Sequence, residues 1–283
     1  AQEIADMQTH SSSVVAVKAA EALRDLLDRE YPTVGEYQRA LEQNSSALLR
    51  ANHSHASLYS TQREIVERVS AADVDSVEAA KAETEAAIEA VVERVELGKR
   101  RAAERATELL PDGATLLTHD YSTTVLAALS NAVAEGRSFT VYVTEARPRF
   151  LGRKMARRLA EFEGVDTRLV VDSASGHFLP ECDRVLTGMS CIVGETLYNR
   201  VGTYPIAATA TDVGVPVTVV GSAAKRVEGG FDFENDFRVA SEVMREPAEG
   251  FTIENPAYDA TPVDLLDSVV TDEGVHDPAD WTA

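Results

Sequence analysis

Four short stretches of the sequence concentrate side chains that could perform chemistry. They are THDYS at 118–122, TEARPRFLGRKMARRL at 144–159, VDSASGHF at 171–178 and GETLYNRVGTY at 194–204. Each stretch lies at or just after an apolar run, where a strand is expected to give way to a helix or a turn. Ligands of open parallel sheets bind at the carboxyl ends of the strands, so these junctions are the candidate sites.

Asp120 gives the first junction a carboxylate. The dipole at a helix N-terminus stabilises such an anion by roughly 0.3 to 1 kcal/mol. Asp120 is therefore expected to stay ionised, and an ionised carboxylate can abstract a proton from a substrate. His119 beside it and His177 in the third junction are expected to be hydrogen-bonded structural residues, because most buried polar side chains are.

The second junction is unusually basic. It carries Arg147, Arg149, Arg153 and Lys154 near a predicted helix N-terminus, in a chain with 47 acidic and 27 basic residues. Guanidinium groups and the free N–H groups of a helix together bind anions such as phosphate. The alternative is that these cations form ion pairs with nearby carboxylates, and the residues alone leave both interpretations open.

The other two junctions offer polar contacts. Asn199, Arg200, Gly202 and Thr203 precede an apolar helical pattern, where Thr203 could cap the helix or contact a phosphate. Asp172 follows a strand pattern and suits either a turn or a polar contact to a ligand. Each of these signals is weak when it is taken alone.

The elements that must position these residues fall into two parts. Up to about residue 110, apolar residues recur every three or four positions and predict a small helical bundle. Two stripes carry this pattern, namely Val14, Val17, Leu23, Leu26 and Leu27, and then Tyr37, Leu41, Leu48 and Leu49. A third helical segment, 74–109, contains no proline.

After Pro111 the pattern changes to short apolar runs that alternate with helices. Strands are predicted at 115–117, 139–143, 168–171, 184–187, 191–193 and 217–221, and helices at 123–134, 150–162 and 203–213. Such alternation is typical of an α/β fold with a mostly parallel sheet. The segment 248–283 is predicted to be a proline-punctuated loop, a short helix and an acidic tail. We therefore expect two domains, 1–110 and 111–283.

Composition excludes several classes of function. The net charge of −20 argues against direct binding to nucleic acid, which needs cations to neutralise phosphates. The acids are scattered and only five residues are lysine, a pattern that favours a halophilic, salt-adapted surface over an ordinary acidic one. No apolar run is long enough to span a membrane, and the start of the chain has no signal-peptide pattern, so a cytoplasmic protein with no membrane partner is expected.

Cofactor and metal signatures are missing from the sequence. Neither GxGxxG nor GxxxxGK[ST] occurs at a strand end, which argues against a dinucleotide fold and a P-loop. The two cysteines, Cys182 and Cys191, form no CxxC pair, so neither a disulfide framework nor a zinc site is expected. We expect no cofactor and no metal.

Five motifs taken together resemble a known family. They are THDYSTTVLAAL, VYVTEARPRFLGRKMARRLAE, TRLVVDSASGHFL, DRVLTGMSCIVGETLYNRVGTYPIAATATDVGVPVTVV and ENPAYDATPVDLL, in that order. They resemble the family of the alpha, beta and delta subunits of translation initiation factor 2B. That family also contains two isomerases, which act on ribose 1,5-bisphosphate and on methylthioribose 1-phosphate. The resemblance implies an N-terminal helical domain joined to a Rossmann-like domain through which the chain dimerises.

The resemblance also assigns roles to residues. In the isomerases of the family, a cysteine stands where this chain has Asp120, and an aspartate stands where it has Ser190. Both catalytic positions are therefore changed. The family's sugar-phosphate cradle maps onto Arg147, Gly152, Arg153, Asn199, Arg200, Gly202 and Thr203. Arg200 stands where the isomerases usually have lysine, and the serines at 11–13 stand where they have an Arg-Gly phosphate loop.

Two rival functions follow from this pattern. The leading hypothesis is a non-catalytic regulatory or binding subunit, at least a homodimer, which binds a phosphorylated sugar or nucleotide and contacts a translation-factor partner. It follows from the loss of both catalytic residues, because paired acid–base catalysis depends on both members. The alternative is an aldose–ketose isomerase of the ribose 1,5-bisphosphate type with Asp120 as the base. A third possibility is a purely structural subunit without a ligand.

Overall fold

The computed structural model describes residues 12–51, 56–227, 231–247 and 249–281. Its helices are α1 (Ser12–Ala22), α2 (Val34–Ala51), α3 (Ala56–Ala71), α4 (Val77–Glu108), α5 (Thr123–Ala134), α6 (Leu151–Leu159), α7 (Ser175–Phe178) and α8 (Thr203–Val213). Its strands are β1 (Thr115–His119), β2 (Phe139–Thr144), β3 (Val165–Val170), β4 (Arg184–Gly188), β5 (Cys191–Val193), β6 (Thr196–Arg200), β7 (Val217–Val220), β8 (Arg226–Val227), β9 (Tyr258–Pro262), β10 (Ser268–Val270) and β11 (Val275–His276).

Helices α1 to α4 share one apolar core, as the periodicity predicts. The stripe of α2 is confirmed, because Tyr37, Leu41 and Leu48 are buried. The first stripe is confirmed at Leu23 and Leu26, which are buried, but it is wrong within α1, where Val14 is 38% exposed whereas Val15 is buried. The reason is that α1 packs against both α3 and α4 through small residues, Ala16, Ala19 and Ala20, which a search for large apolar residues overlooks.

The main sheet has seven strands in the order β11-β10-β7-β4-β1-β2-β3. Every neighbouring pair is parallel except β10 and β11, so the predicted mostly parallel sheet is confirmed. Helix α5 covers one face and packs against the C-terminal half of α4 through alanine and valine side chains. The long helix therefore ties the helical part to the sheet.

A second, smaller sheet was not expected from the sequence. It has the order β8-β5-β6-β9, and β6 pairs antiparallel with both β5 and β9. Asn199 and Arg200 consequently lie on a strand and not in a loop. The prediction for 248–283 was also wrong, because this segment forms β9, β10, β11 and 3-10 turns. These strands are two to five residues long, and β9 and β10 pair with segments about fifty to sixty-five positions away, which local patterns do not reveal.

Two further predictions from the sequence concern membrane spans and the division into domains. Within the described ranges no helix is long and apolar enough to cross a membrane. The division into domains at residue 110 stays a proposal, because Ala102, Ala103 and Ala106 near the end of α4 belong to the core of the sheet.

Candidate functional site

A cavity of about 290 Å³ opens at the carboxyl ends of β1 and β4. These adjacent strands lie in the middle of the sheet, with β2 and β3 on the side of β1 and with β7 and β10 on the side of β4. Ligands of open α/β sheets bind at such a switch point. The junctions β1-α5 and β4-β5, strand β6, and helices α1 and α6 all contribute side chains to the wall.

Asp120 stands at the turn between β1 and α5 and lines the cavity. Its backbone has φ 63°, in the left-handed region that is strained for most residues and that Asp enters more readily. Such strain clusters at functional sites. Ser122 caps α5 by accepting a hydrogen bond from the Val125 N–H, 3.2 Å away. The turn therefore holds the carboxylate at the cavity, beside the start of a helix.

Arg200 reaches Asp120 from strand β6. Its Nε lies 3.4 Å from Asp120 Oδ2, and both side chains are largely buried. The Arg200 guanidinium also lies over the ring of Tyr258, 4.7 Å from its centroid. The carboxylate and the guanidinium thus form an ion pair in the wall of the cavity.

His119 is buried beside this pair and is fully engaged by the protein. Its Nε2 lies 2.9 Å from the Val201 carbonyl oxygen, which can only accept, so Nε2 carries the proton. Nδ1 then accepts from the Thr144 hydroxyl at 2.6 Å. These contacts agree with the structural role predicted for His119. Gly202 must be glycine, since a Cβ there would lie 2.7 Å from His119 Cε1.

Ser190 and Asn199 form a polar wall opposite the end of β1. Asn199 is buried, and its amide donates to Thr203 Oγ1 at 3.2 Å. The Ser190 hydroxyl lies 3.4 Å from Asn199 Oδ1. Gly188 precedes Ser190 at the end of β4, where a Cβ would lie 2.5 Å from Ser122 Oγ. The two junctions therefore pack directly on each other.

Two lysine side chains line the same cavity, Lys154 from the basic second junction and Lys225, which the sequence analysis did not consider. Lys154 from α6 places its Nζ 4.2 Å from the centroid of the Tyr121 ring. Lys225 is buried and donates to the Met189 carbonyl oxygen at 2.7 Å. Burial lowers the pKa of Lys225 to about 8. Lys225 follows β7 in the run VVGSAAK, so the rule of searching strand ends would have found it.

Ser12 contributes from α1. Its hydroxyl is buried at the cavity and has no hydrogen-bond partner among the described residues, so a polar ligand or water could satisfy it. Ser13 is also buried but is not part of the cavity wall. Ser11, the first of the three serines, lies outside the described residues.

The structure brings together only some of the predicted site residues. Asp120, Ser190, Asn199 and Arg200 line the main cavity, whereas the others do not, namely Arg147, Gly152, Arg153, Asp172, Gly202 and Thr203. Arg147 lines a smaller cavity of about 30 Å³ on the other side of the Asp120–Arg200 pair. Contact of these six residues with a ligand stays a prediction.

Carboxylates of the protein already bind several cations and backbone N–H groups of the second junction. Arg153 donates to Glu145 at 2.6 Å, and Arg149 donates to Glu242 at 2.6 Å, so both form the ion pairs that the sequence left as the alternative. Asp172 accepts from the backbone N–H groups of Ala146 and Arg147, both at 2.7 Å, and thereby shapes the loop.

A carboxylate of the protein also binds the backbone N–H groups at the start of helix α8. Asp259 accepts from the N–H groups of Gly202 at 2.7 Å and Tyr204 at 3.0 Å. Thr203 is the first residue of α8 and donates its hydroxyl hydrogen to the Arg200 carbonyl oxygen, 2.7 Å away. A protein carboxylate therefore binds the N–H groups at the start of α8, while contact of Gly202 and Thr203 with a phosphate stays a prediction.

Comparison with known proteins defines the class. The model of the initiation factor 2 subunit family matches residues 8–278, and the chain therefore belongs to that family. Among relatives, the ribose 1,5-bisphosphate isomerase of Haloterrigena turkmenica is 30% identical over 297 residues, covering 98% of this chain and 89% of the relative.

Solved structures confirm the fold. The translation initiation factor eIF-2B of Pyrococcus horikoshii OT3 superimposes with a TM-score of 0.83 at 24% identity, covering 99% of this chain and 96% of that one. The 5-methylthioribose 1-phosphate isomerase of the same organism gives 0.77 at 21% identity, covering 97% and 82%. The tetrameric eIF2B-beta2-delta2 complex of C. thermophilum gives 0.75 at 21% identity, covering 99% and 89%.

These comparisons correct the leading hypothesis from the sequence. Relatives that align with nearly the whole chain, at 27 to 30% identity, are ribose 1,5-bisphosphate isomerases. The hypothesis of a non-catalytic subunit was wrong, because it gave two substituted positions more weight than the similarity of the whole chain to these isomerases. It rested on the loss of the two catalytic residues, and the sequence alone does not show which other side chains folding brings to the cavity.

Proposed function

We propose that the chain is an aldose–ketose isomerase that acts on a ribose phosphate of the ribose 1,5-bisphosphate type. The observation that carries this proposal is the pairing of Asp120 with Arg200 in the wall of a cavity at the switch point of the sheet. The cavity combines a carboxylate able to move a proton with three cations able to hold phosphate, Lys154, Arg200 and Lys225. The similarity to ribose 1,5-bisphosphate isomerases supports the same substrate class.

Aldose–ketose isomerisation moves a proton between neighbouring carbon atoms, so it requires a base close to the sugar. Asp120 supplies that base. Its carboxylate is paired with Arg200, and a substrate phosphate that binds Arg200 would release the carboxylate for proton abstraction. The N-terminus of α5 adds N–H groups that favour an anion at the same wall.

The test is turnover of ribose 1,5-bisphosphate by the purified chain at high salt, followed as formation of ribulose 1,5-bisphosphate. We expect turnover by the native chain and a loss of 10²- to 10⁴-fold in kcat for Asp120→Asn, about the contribution of one general base. Asp264→Asn is the matched control, because Asp264 is exposed and away from the cavity. A native chain without turnover, or an unaffected Asp120→Asn variant, would contradict the proposal.

We also propose that the chain forms at least a homodimer. Several large apolar side chains are exposed on the segment that precedes β9, among them Phe237 at 62% and Val239 at 65%. Exposed apolar clusters mark protein interfaces. Light scattering coupled to size exclusion measures the mass, and a monomer at micromolar concentration would overturn this part. The expected translation-factor partner rests on the family resemblance alone and stays a prediction.

A further inference from the structure

The proposed isomerisation needs a second proton-transfer group besides Asp120. In the resemblance to the isomerases this group is an aspartate, and Ser190 stands in its place. A serine hydroxyl has too high a pKa to donate or accept protons without a base beside it. Among the described residues of the cavity wall, Asp120 is the one carboxylate, so no second acid of that kind is at hand.

Lys225 is the group that the fold brings to this position. Its Nζ donates to the carbonyl oxygen of Met189, the residue that directly precedes Ser190. Both residues line the cavity with Lys225. The ammonium therefore lies against the β4-β5 junction, where the isomerases carry the aspartate. Lys225 itself belongs to the turn after β7.

The turn that carries Lys225 is firmly held. Asp272 accepts from the Ala223 N–H at 2.8 Å, and Ser222 accepts from the Ala224 N–H at 3.3 Å. Gly221 allows the turn to approach the β4-β5 junction, because a Cβ there would lie 2.6 Å from Met189 Cε. The position of the ammonium is thus set by contacts on both sides, as a proton-transfer group requires.

The charges around Lys225 do not neutralise it. The titratable groups that act on it are Cys191 and Lys99, and the charged residues that share the cavity wall with it are Asp120, Arg200 and Lys154. Burial raises the pKa of the Cys191 thiol to about 12, so Cys191 stays uncharged. Asp120 is already paired with Arg200. A buried ammonium without its own carboxylate releases its proton readily.

We propose that Lys225 is the second proton-transfer group of this site and acts together with Asp120. The inference rests on the proposed isomerase function and assigns a residue to it. Ribose 1,5-bisphosphate is a furanose, in which C1 bears a phosphate and is bonded to the ring oxygen. Two proton transfers open the ring, and two more complete the ketose.

In the first half, Asp120 takes the proton from C2, and the C–H electron pair forms a double bond between C1 and C2. The bond from C1 to the ring oxygen breaks, and that oxygen keeps the pair and takes the proton of Lys225. In the second half, the hydroxyl at C2 returns a proton to Lys225 as it becomes the carbonyl, and C1 takes the proton from Asp120. Both side chains end in their starting states, so no co-reactant is needed.

The decisive variant is Lys225→Arg, measured in the full chain at high salt. Arginine keeps the positive charge and a donor for Met189, but its pKa is too high to give up a proton. We expect kcat to fall by about 100-fold or more while KM changes by less than about threefold, the range of an acid–base group. The native kcat should decline above about pH 8, as Lys225 deprotonates, and this decline should be absent in the variant.

Controls separate the other roles of Lys225. Lys99→Arg alters a half-buried lysine of α4 that does not line the cavity, and it should keep both kcat and the decline above pH 8. Lys225→Gln keeps a donor for the Met189 carbonyl, so it should fold and lose kcat in the same way.

Two results would overturn the inference. A Lys225→Arg variant with native kcat but raised KM would show a cation that only binds phosphate, and unchanged kcat and KM would show a purely structural lysine. In both cases the native chain still turns over and the proposed function stands. No turnover by the native chain would remove both proposals.

Discussion

Asp120 and Arg200, whose nearest charged atoms lie 3.4 Å apart, are also two of the positions at which the chain departs from the isomerase pattern. A carboxylate replaces a cysteine, and an arginine replaces a lysine. A carboxylate that is only 14% exposed needs a cation that never loses its charge, and a guanidinium supplies that. The two side chains at these positions therefore form one structural unit.

This coupling predicts the outcome of a double-mutant cycle. Asp120→Asn and Arg200→Met each remove one member of the ion pair, whereas the double variant removes both. We expect the double variant to be more stable than the sum of the single effects by about 1 to 2 kcal/mol. Urea unfolding of the four proteins measures this, and additive free energies of unfolding would show that the pair is not coupled.

Gly152 is predicted to be indispensable for packing α6 on the sheet. A Cβ at this position would lie 1.8 Å from the Thr144 carbonyl oxygen, so backbone must move. Gly152→Ala is expected to destabilise the chain by about 3 kcal/mol or more, as overpacking of a core does. Gly35→Ala is the control, because its Cβ meets only Arg39 at 3.8 Å and alanine favours a helix. Thermal unfolding should separate the two, and equal midpoints would refute the packing argument.

Asp259 is predicted to hold the start of α8. It accepts two N–H groups there and so serves as a helix cap from a distant strand. Asp259→Ala should lower the free energy of unfolding by about 1 to 2 kcal/mol, the usual range for a lost cap. Asp264→Ala, at an exposed acid in the turn after β9, should change it by less than about 0.5 kcal/mol. Similar losses in both variants would mean that the cap contributes little.

The stability of the chain should depend on pH in two opposed ways. Burial lowers the pKa of Lys225 from 10.5 to about 8. Between these two pH values the unfolded chain binds more protons than the folded chain, so the free energy of unfolding rises with pH. Burial raises the pKa of Cys182 and Cys191 from 9.0 to about 12, so above pH 9.0 the unfolded chain releases their protons first and stability falls.

We therefore expect a maximum of stability near pH 9, since each group contributes about 1.4 kcal/mol per pH unit within its window. Denaturant titrations at several pH values measure it. Lys225→Met should abolish the rise between pH 8 and 9, and a rise that persists in that variant would assign it to another group.

The net charge of −20 predicts a dependence on salt. Screening shortens to about 3 Å at 1 M salt and removes the repulsion among the acids, so stability should increase with KCl. A gain of about 2 kcal/mol between low and molar salt corresponds to a rise of about 4 to 8 °C in the unfolding midpoint. An unchanged midpoint would show that the acidic surface has no role in salt adaptation.

Much of the fold could be predicted because it depends on local patterns. The bounds of α5 and α8 agree with the predicted helices, since apolar periodicity and a capping residue or a glycine fix them. Strands β6 and β9 could not be predicted, because their pairing joins residues about sixty positions apart. The structure places Asp120 in the cavity wall, at the end of a strand of the main sheet, where the sequence analysis searched. Lys225 was not among the predicted residues, because the turn after β7 was not searched.

The sequence by itself determined the class of the fold, the family and the acid at the end of β1, since strand ends, motif order and residue type are local properties. Only the tertiary structure decided which charges meet. It paired Asp120 with Arg200, placed carboxylates of the protein against Arg153 and the start of α8, and brought Lys225 to the cavity. The physical reason is that an ion pair depends on distance and burial, which two segments acquire only when they pack together.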